Sequence, residues 1–164
     1  MTAKTENARL SVAMNDQPEV VILIGIQAVG KSTFCRQHLY NTHVIINLDT
    51  LKTRHREAQV YASCLRVKFS CAIDNTNLTP NDRHRYIAPA RAAGYRVIGY
   101  YFQSCVSEAL RHNQARRNNR VSDRAILWAH KRLILPTVSE GFDALRYVAK
   151  DQHGGFVIQE WIDQ

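Results

Sequence analysis

Cysteine is scarce in this 164-residue sequence, and its four copies (Cys35, Cys64, Cys71, Cys105) lie far apart. There is no CxxC pair and no histidine at zinc-ligand spacing, which argues against a zinc module or a disulfide framework. The thiols are instead expected to be buried and reduced, Cys71 and Cys105 lying in or beside apolar segments. Long apolar runs are also missing: none approaches the roughly 20 residues that cross a bilayer. Residues 1–17 lack the apolar stretch of a signal peptide and mix Lys4, Glu6, Arg9 and Asp16. They read as a disordered leader to a single domain over 18–164 in a soluble cytoplasmic protein without a membrane partner. Repeats, low-complexity tracts and linkers are absent. Acids are in short supply: 14 against 22 lysines and arginines, for a net charge of +8. That balance suits polyanionic ligands, nucleotides or nucleic acid among them, although solvated basic residues alone produce it too.

What is present alternates between β-branched runs and helical segments. Glu19 to Ile24 is a continuous apolar run, as in a strand covered on both faces. Further strands are expected at His43–Leu48, Val67–Ile73, Tyr95–Phe102 and Ala144–Ala149, with Gly155–Trp161 as a possible edge. Between them, helices are expected over Lys31–Tyr40, Thr50 to about Ala62, Thr79–Gly94, Val106 to about Arg117, and from Ser122 onward. Thr79 followed by Pro80 is a helix-start signal, and Thr137 with Glu140 spells a capping box in a short turn. This alternation predicts a three-layer α/β domain with a mainly parallel five-stranded sheet.

The first strand runs into "GIQAVGKST", residues Gly25 to Thr33. The spacing G-x-x-x-x-G-K-S, placed after a strand and before a helix, is that of a phosphate-binding loop. Gly25 and Gly30 let the backbone curl so that amides face phosphate oxygens, and the helix N-terminus adds its positive dipole end. Lys31 is expected to reach the β- and γ-phosphates, Ser32 to ligate magnesium, and Thr33 to donate toward the α-phosphate. By chance the pattern arises roughly once in tens of thousands of positions. The implied ligands are ATP and Mg2+.

The loop does not distinguish hydrolysis from transfer. The second strand ends in "INLD", bringing Asp49 to the sheet edge where α/β proteins bind ligands. A carboxylate there can take the proton of an attacking hydroxyl; it can equally be a helix N-cap. Asp74, in "AIDNTNLTP", reaches the same edge, where it would bind magnesium through water or orient another group. Asn75 and Asn77 read as braces of the following turn. Arg111, Arg116, Arg117, Arg120 and Arg124 then crowd the break between two helices. A charge run is usually a solvated face; here its place matches a small helical lid, with Arg116 first and Arg120 second as phosphate contacts.

Together, "GIQAVGKST", "INLD", "DNTN", "RHNQAR" and "PTVSEGF" resemble, in that order, the kinase domain of the polynucleotide 5′-hydroxyl kinases. The resemblance covers Val20 to about Val148. It is closer still to short, stand-alone bacterial ATP-binding proteins of that group, through "INLDTLKTRHRE" and "RYIAPARAAGYRVIGYYFQS". It implies a P-loop kinase in which Lys31, Ser32 and Thr33 bind the triphosphate. Asp49 is then the general base, Asp74 a supporting aspartate and Arg116 the lid arginine. Phage-type enzymes carry an arginine three residues after the base; this chain has Lys52, a point charge without the bidentate fork, with Arg56 one turn further on. A DxDGT pair is absent, so the 3′-phosphatase activity of bifunctional relatives is not expected. Three functions stay open: a kinase for polynucleotide 5′-hydroxyl ends, a kinase for a small hydroxyl acceptor, and a regulatory ATPase. Oligomeric state is not legible.

Overall fold

A computed structural model describes residues 17–163; the expected leader falls, but for Gln17, outside the described residues. Six strands form one sheet: β1 (Glu19–Ile24), β2 (Val44–Ile46), β3 (Cys71–Ile73), β4 (Arg96–Phe102), β5 (Ala144–Lys150) and β6 (Phe156–Glu160). Their order is β2-β3-β1-β4-β5-β6. The first five are parallel, with Val20 opposite Cys71 and Val97, and β6 closes the edge antiparallel to β5. The expected five-stranded sheet therefore carries a sixth strand where the sequence offered only an edge.

β1 sits at the centre because both its faces are apolar. Val20, Ile22 and Ile24 point into one core with Ile46, Ile73, Tyr61, Tyr86 and Ile87, while Val21 and Leu23 point into the other with Phe34, Phe102, Ala109 and Ile126. All five are essentially inaccessible, and at about 1.5–3 kcal/mol each their burial contributes on the order of 10 kcal/mol. The first core lies under α3 (Arg54–Val67) and α4 (Pro80–Ala92). The second lies under α1 (Lys31–His38), α5 (Val106–Gln114) and α6 (Asp123–Arg132). At Gly99 in β4 a Cβ would stand 2.6 Å from Leu145 and 2.8 Å from Phe142. The strand has to be bare there so that Phe142, from the "EGF" turn, can pack down.

Local signals hold where expected. Thr79 and Asp82 form a capping box on α4, Thr137 and Glu140 another on the turn Val138–Glu140, and Ser122 caps α6. The helix expected from Thr50 is instead two. A single turn, α2 (Leu48–Leu51), stops at Lys52 in a left-handed conformation (φ 71°), and α3 restarts when Thr53 accepts from Arg56 N. Two N-cap signals only six residues apart leave no room for one continuous helix. Cys35, Cys64 and Cys71 are buried free thiols, but Cys105 is part-exposed because it precedes α5 at the sheet edge.

Candidate functional site

The loop between β1 and α1 has the backbone its glycines permit: φ is 151° at Gly25 and 108° at Gly30, with Ala28 also left-handed at 63°. Such a conformation at Gly30 penalises any side chain, and a Cβ there would also meet Lys150 at 2.9 Å and Phe156 at 3.1 Å. Inside the curl, the Lys31 ammonium donates to the carbonyls of Gly25 (2.8 Å) and Ile26 (2.5 Å). It is buried, and burial pulls its pKa down to about 8; Asp74 opposes the fall, Arg116 adds to it, and Asp49 opposes it more weakly. Four charged groups from separate stretches of sequence thus share one field. Gln27 Oε1 is a buried acceptor without a hydrogen-bond partner, and it lies in the same loop.

Ser32 and Asp74 meet directly: the serine hydroxyl donates to Asp74 Oδ2 at 2.7 Å. Asp74 is buried, and its backbone amide donates to Ile46 O at 2.9 Å, locking the end of β3 beside β2. Among the described residues no cluster of three His, Cys, Asp or Glu side chains is arranged to cage a metal. A hydroxyl beside one carboxylate instead fits Mg2+, which keeps its waters and takes the rest of its oxygen ligands from phosphates. Thr33 is half-buried and accepts from Arg36 at 3.3 Å.

Asp49 is exposed in the first turn of α2 but does not cap it. Asn47 takes the cap, accepting from Thr50 N at 3.1 Å, and its amide donates to Asp74 O at 2.9 Å. The N-cap alternative considered for Asp49 thus belongs to its neighbour two residues earlier, and the Asp49 carboxylate is left to project. Asn75, expected to brace the turn that follows it, instead braces the α2 turn from below: its Oδ1 accepts from Leu48 N (2.9 Å) while its Nδ2 donates to Glu57 (2.6 Å). Asn77 donates to Leu23 O at 2.7 Å, tying the β3 exit to β1. Lys52 and Arg56 are exposed beyond Asp49, Arg56 beside Leu51 O.

Glu57 was not legible as part of this site. It is 2% exposed, and it accepts from Arg54, Asn75 and Tyr86. In the sequence it is one acid in a basic helix, with nothing to mark it as buried. Lys150 and His112, 3.3 Å apart on the other flank of the loop, were missed as well. Burial lowers both pKa values; Lys150 and then Arg111 lower that of His112 further.

The lid position is occupied by an irregular stretch, 115–122, between α5 and α6 rather than by a helix of its own. Arg116 is exposed and donates to Asn119 O at 3.3 Å, and its charge acts on both Lys31 and Lys150. Arg120 and Arg117 are exposed on the same stretch.

A parallel sheet in the order 2-3-1-4-5 with its glycine loop wrapped on a lysine defines a nucleotide-binding domain of the P-loop kinase type. Residues 20–136 match the family model of the AAA domain (AAA_33), and the chain belongs to that family. It is 29% identical over 134 residues to the bifunctional polynucleotide phosphatase/kinase of Schizosaccharomyces pombe. The match takes in 78% of this chain, which spans only about a third (33%) of that relative's length. The fold is shared with Chaetomium thermophilum Kti12, solved in complex with ADP-AlF3 (TM-score 0.62, 17% identity, 83% of this chain and 93% of that one). It is shared also with a gluconokinase from Sinorhizobium meliloti (TM-score 0.57, 12% identity, 80% and 82%). Among the described residues no helix is long and apolar enough to cross a membrane.

Proposed function

We propose that the domain is an ATP- and Mg2+-dependent kinase that transfers the γ-phosphoryl group to a hydroxyl, that of a polynucleotide 5′ end. The observation that carries this reading is geometric: Ser32 donates to Asp74 at the phosphate loop, and Asn47, tied to Asp74 O, caps the adjoining turn and leaves the Asp49 carboxylate exposed. A hydrolase needs the loop and the metal pair; an acceptor-side carboxylate outside the metal pair is what transfer adds.

In this reading Lys31 leaves the Gly25 and Ile26 carbonyls for the β- and γ-phosphates, and the loop amides and the α1 N-terminus hold the remaining charge. Ser32, with Asp74 behind it, would hold Mg2+, which when bound neutralises phosphate charge. Asp49 accepts the acceptor's proton as its oxygen bonds to the γ-phosphorus. The bond from that phosphorus to the β–γ bridging oxygen breaks, and ADP departs with the electron pair. Arg116 and Arg120 swing in with the lid to meet the charge that develops. Lys52 and Arg56 would receive the acceptor's own phosphates.

The acceptor assignment is supported by the relative's polynucleotide kinase name and by the openness of the acceptor side. Asp49, Lys52 and Arg56 are all exposed, on a shelf rather than in an enclosed cavity. A chain end can reach such a shelf; a small sugar or nucleoside would find few walls there. The test is γ-labelled ATP incubated with 5′-hydroxyl oligonucleotides, nucleosides and buffer alone. Label on oligonucleotides supports the reading, label on nucleosides alone replaces the acceptor, and free phosphate alone makes the domain an ATPase.

A further inference from the structure

The last basic stretch of the chain contains more than the lid needs. From Arg111 to Arg132 there are seven arginines and lysines against one acid, Asp123. All seven are exposed, and Asp123 is approached by the Asn113 amide. Trp128 lies among them, 56% exposed, in the middle of α6. Indole is costly to leave in water, and nothing in the core requires it there: Ile126 and Ala129 already seat the helix.

Helical spacing orders this surface. With 100° between successive residues, Arg124, Trp128 and Lys131 share the face opposite Ile126 and Ala129. Arg132, one turn after Trp128, lays its guanidinium on the indole, 4.7 Å from the ring centroid. One face of the ring is thereby backed by a cation, which leaves the other for a flat, electron-rich partner, with positive charge on either side. The path of α6 matters as much. It starts at Ser122, at the end of the stretch that carries Arg116, whose charge reaches Lys31. It ends where Ile134 N donates to Leu78 O (2.9 Å) and Arg83 donates to Ile134 O (3.1 Å), on the segment leading from β3 into α4. The helix thus runs from the stretch that carries Arg116 to the segment between β3 and α4.

We infer that the outer face of α6 is a docking track for single-stranded nucleic acid, with Trp128 stacking on a base and Arg124 and Lys131 holding the flanking phosphates. Alternating stacking and phosphate contacts are how proteins grip single strands without reading their sequence. A neutral apolar partner would not repay the exposed arginines on this face, and a duplex keeps its bases in the stack where an indole cannot reach them. The inference deepens the acceptor reading above and rests on it for which end of the strand enters the site.

The test needs no catalysis. In a Trp161→Phe background, Trp128 is the sole indole, and its emission is followed while a deoxythymidylate strand of about 12 nucleotides is added. Quenching is expected, with much less for a duplex of the same length. Trp128→Ala should weaken binding about tenfold, and Trp128→Phe should recover most of the loss. Arg124→Gln with Lys131→Gln should lower the slope of log affinity against log salt by about 1.4, two phosphates at about 0.7 each. Unquenched emission, or equal affinity in Trp128→Ala, overturns the track. So does a dimer in light scattering that Trp128→Ala dissociates, since the face would then bind a second copy. Quenching without label transfer to any oligonucleotide keeps the track and removes the proposed acceptor, so the two readings fail separately.

Discussion

The two halves of the site are built by opposite means. On the donor side the chain folds on itself within a few residues. Lys31, buried between β1 and α1, is bonded to carbonyls five and six positions back, and Ser32 follows directly. On the proposed acceptor side Asp49 is exposed on one helical turn, and the bonds that hold the start of that turn from outside come from afar. Asn75 holds Leu48 N from 27 residues away, Asn47 reaches Asp74 O over the same separation, and Glu57 closes the network under them. Even the exit from the turn, at Lys52 (φ 71°), is a conformation that non-glycine residues hold only when their surroundings impose it.

The sharpest break in that contrast is at the loop. Lys31→Ala should reduce phosphoryl transfer at least a hundredfold, about 3 kcal/mol of transition-state contact. Melting should hardly change, because a buried ammonium stabilises the fold little. Near-normal turnover would remove the donor assignment.

Asp49→Asn tests the other half. Transfer should fall by roughly a hundredfold while ATP affinity holds within a few-fold. The melting temperature should stay where it is, since Asn47 and not Asp49 caps α2. Asn47→Ala is the counterpart, expected to cost about 1 kcal/mol of stability as a lost cap. If Asp49→Asn lowers melting and spares turnover, the two roles have been assigned the wrong way round.

Smaller effects are expected at the lid. Arg116→Ala should slow transfer about tenfold at saturating acceptor, and Arg117→Ala much less. It is Arg116, and not Arg117, whose charge acts on Lys31. Equal, slight losses from both variants would leave only a solvated basic surface.

The smallest signal is protonic. The Lys31 pKa is lowered in the ligand-free fold, to about 8. The unfolded chain therefore binds more protons than the native one between about pH 8 and 10.5, and stability contributed by this group rises with pH across that window. Triphosphate favours the charged form, so nucleotide binding near pH 8 should take up a fraction of a proton. Calorimetry in two buffers of different ionisation enthalpy measures it, and zero uptake, or uptake unchanged in Lys31→Met, would sink the idea.

The amino-acid sequence by itself determined whatever depends on near neighbours. The glycine loop, the Thr79–Asp82 and Thr137–Glu140 boxes, the Ser122 cap and the doubly apolar β1 are all written within windows of a few residues. Backbone dihedrals, caps and face alternation are short-range physics, so they survive being read without a fold. Only the tertiary structure decided that Asn47 caps in place of Asp49, that one expected helix breaks at Lys52, and that Glu57 is buried beneath the shelf. It also decided that Arg83, fully buried, pairs through two 2.7 Å bonds with Glu140. That contact spans 57 residues. A charge in such a place is tolerable only because its partner and the carbonyls of Asn77 and Ile134 are already there, and a linear sequence has no means of placing a partner that distant.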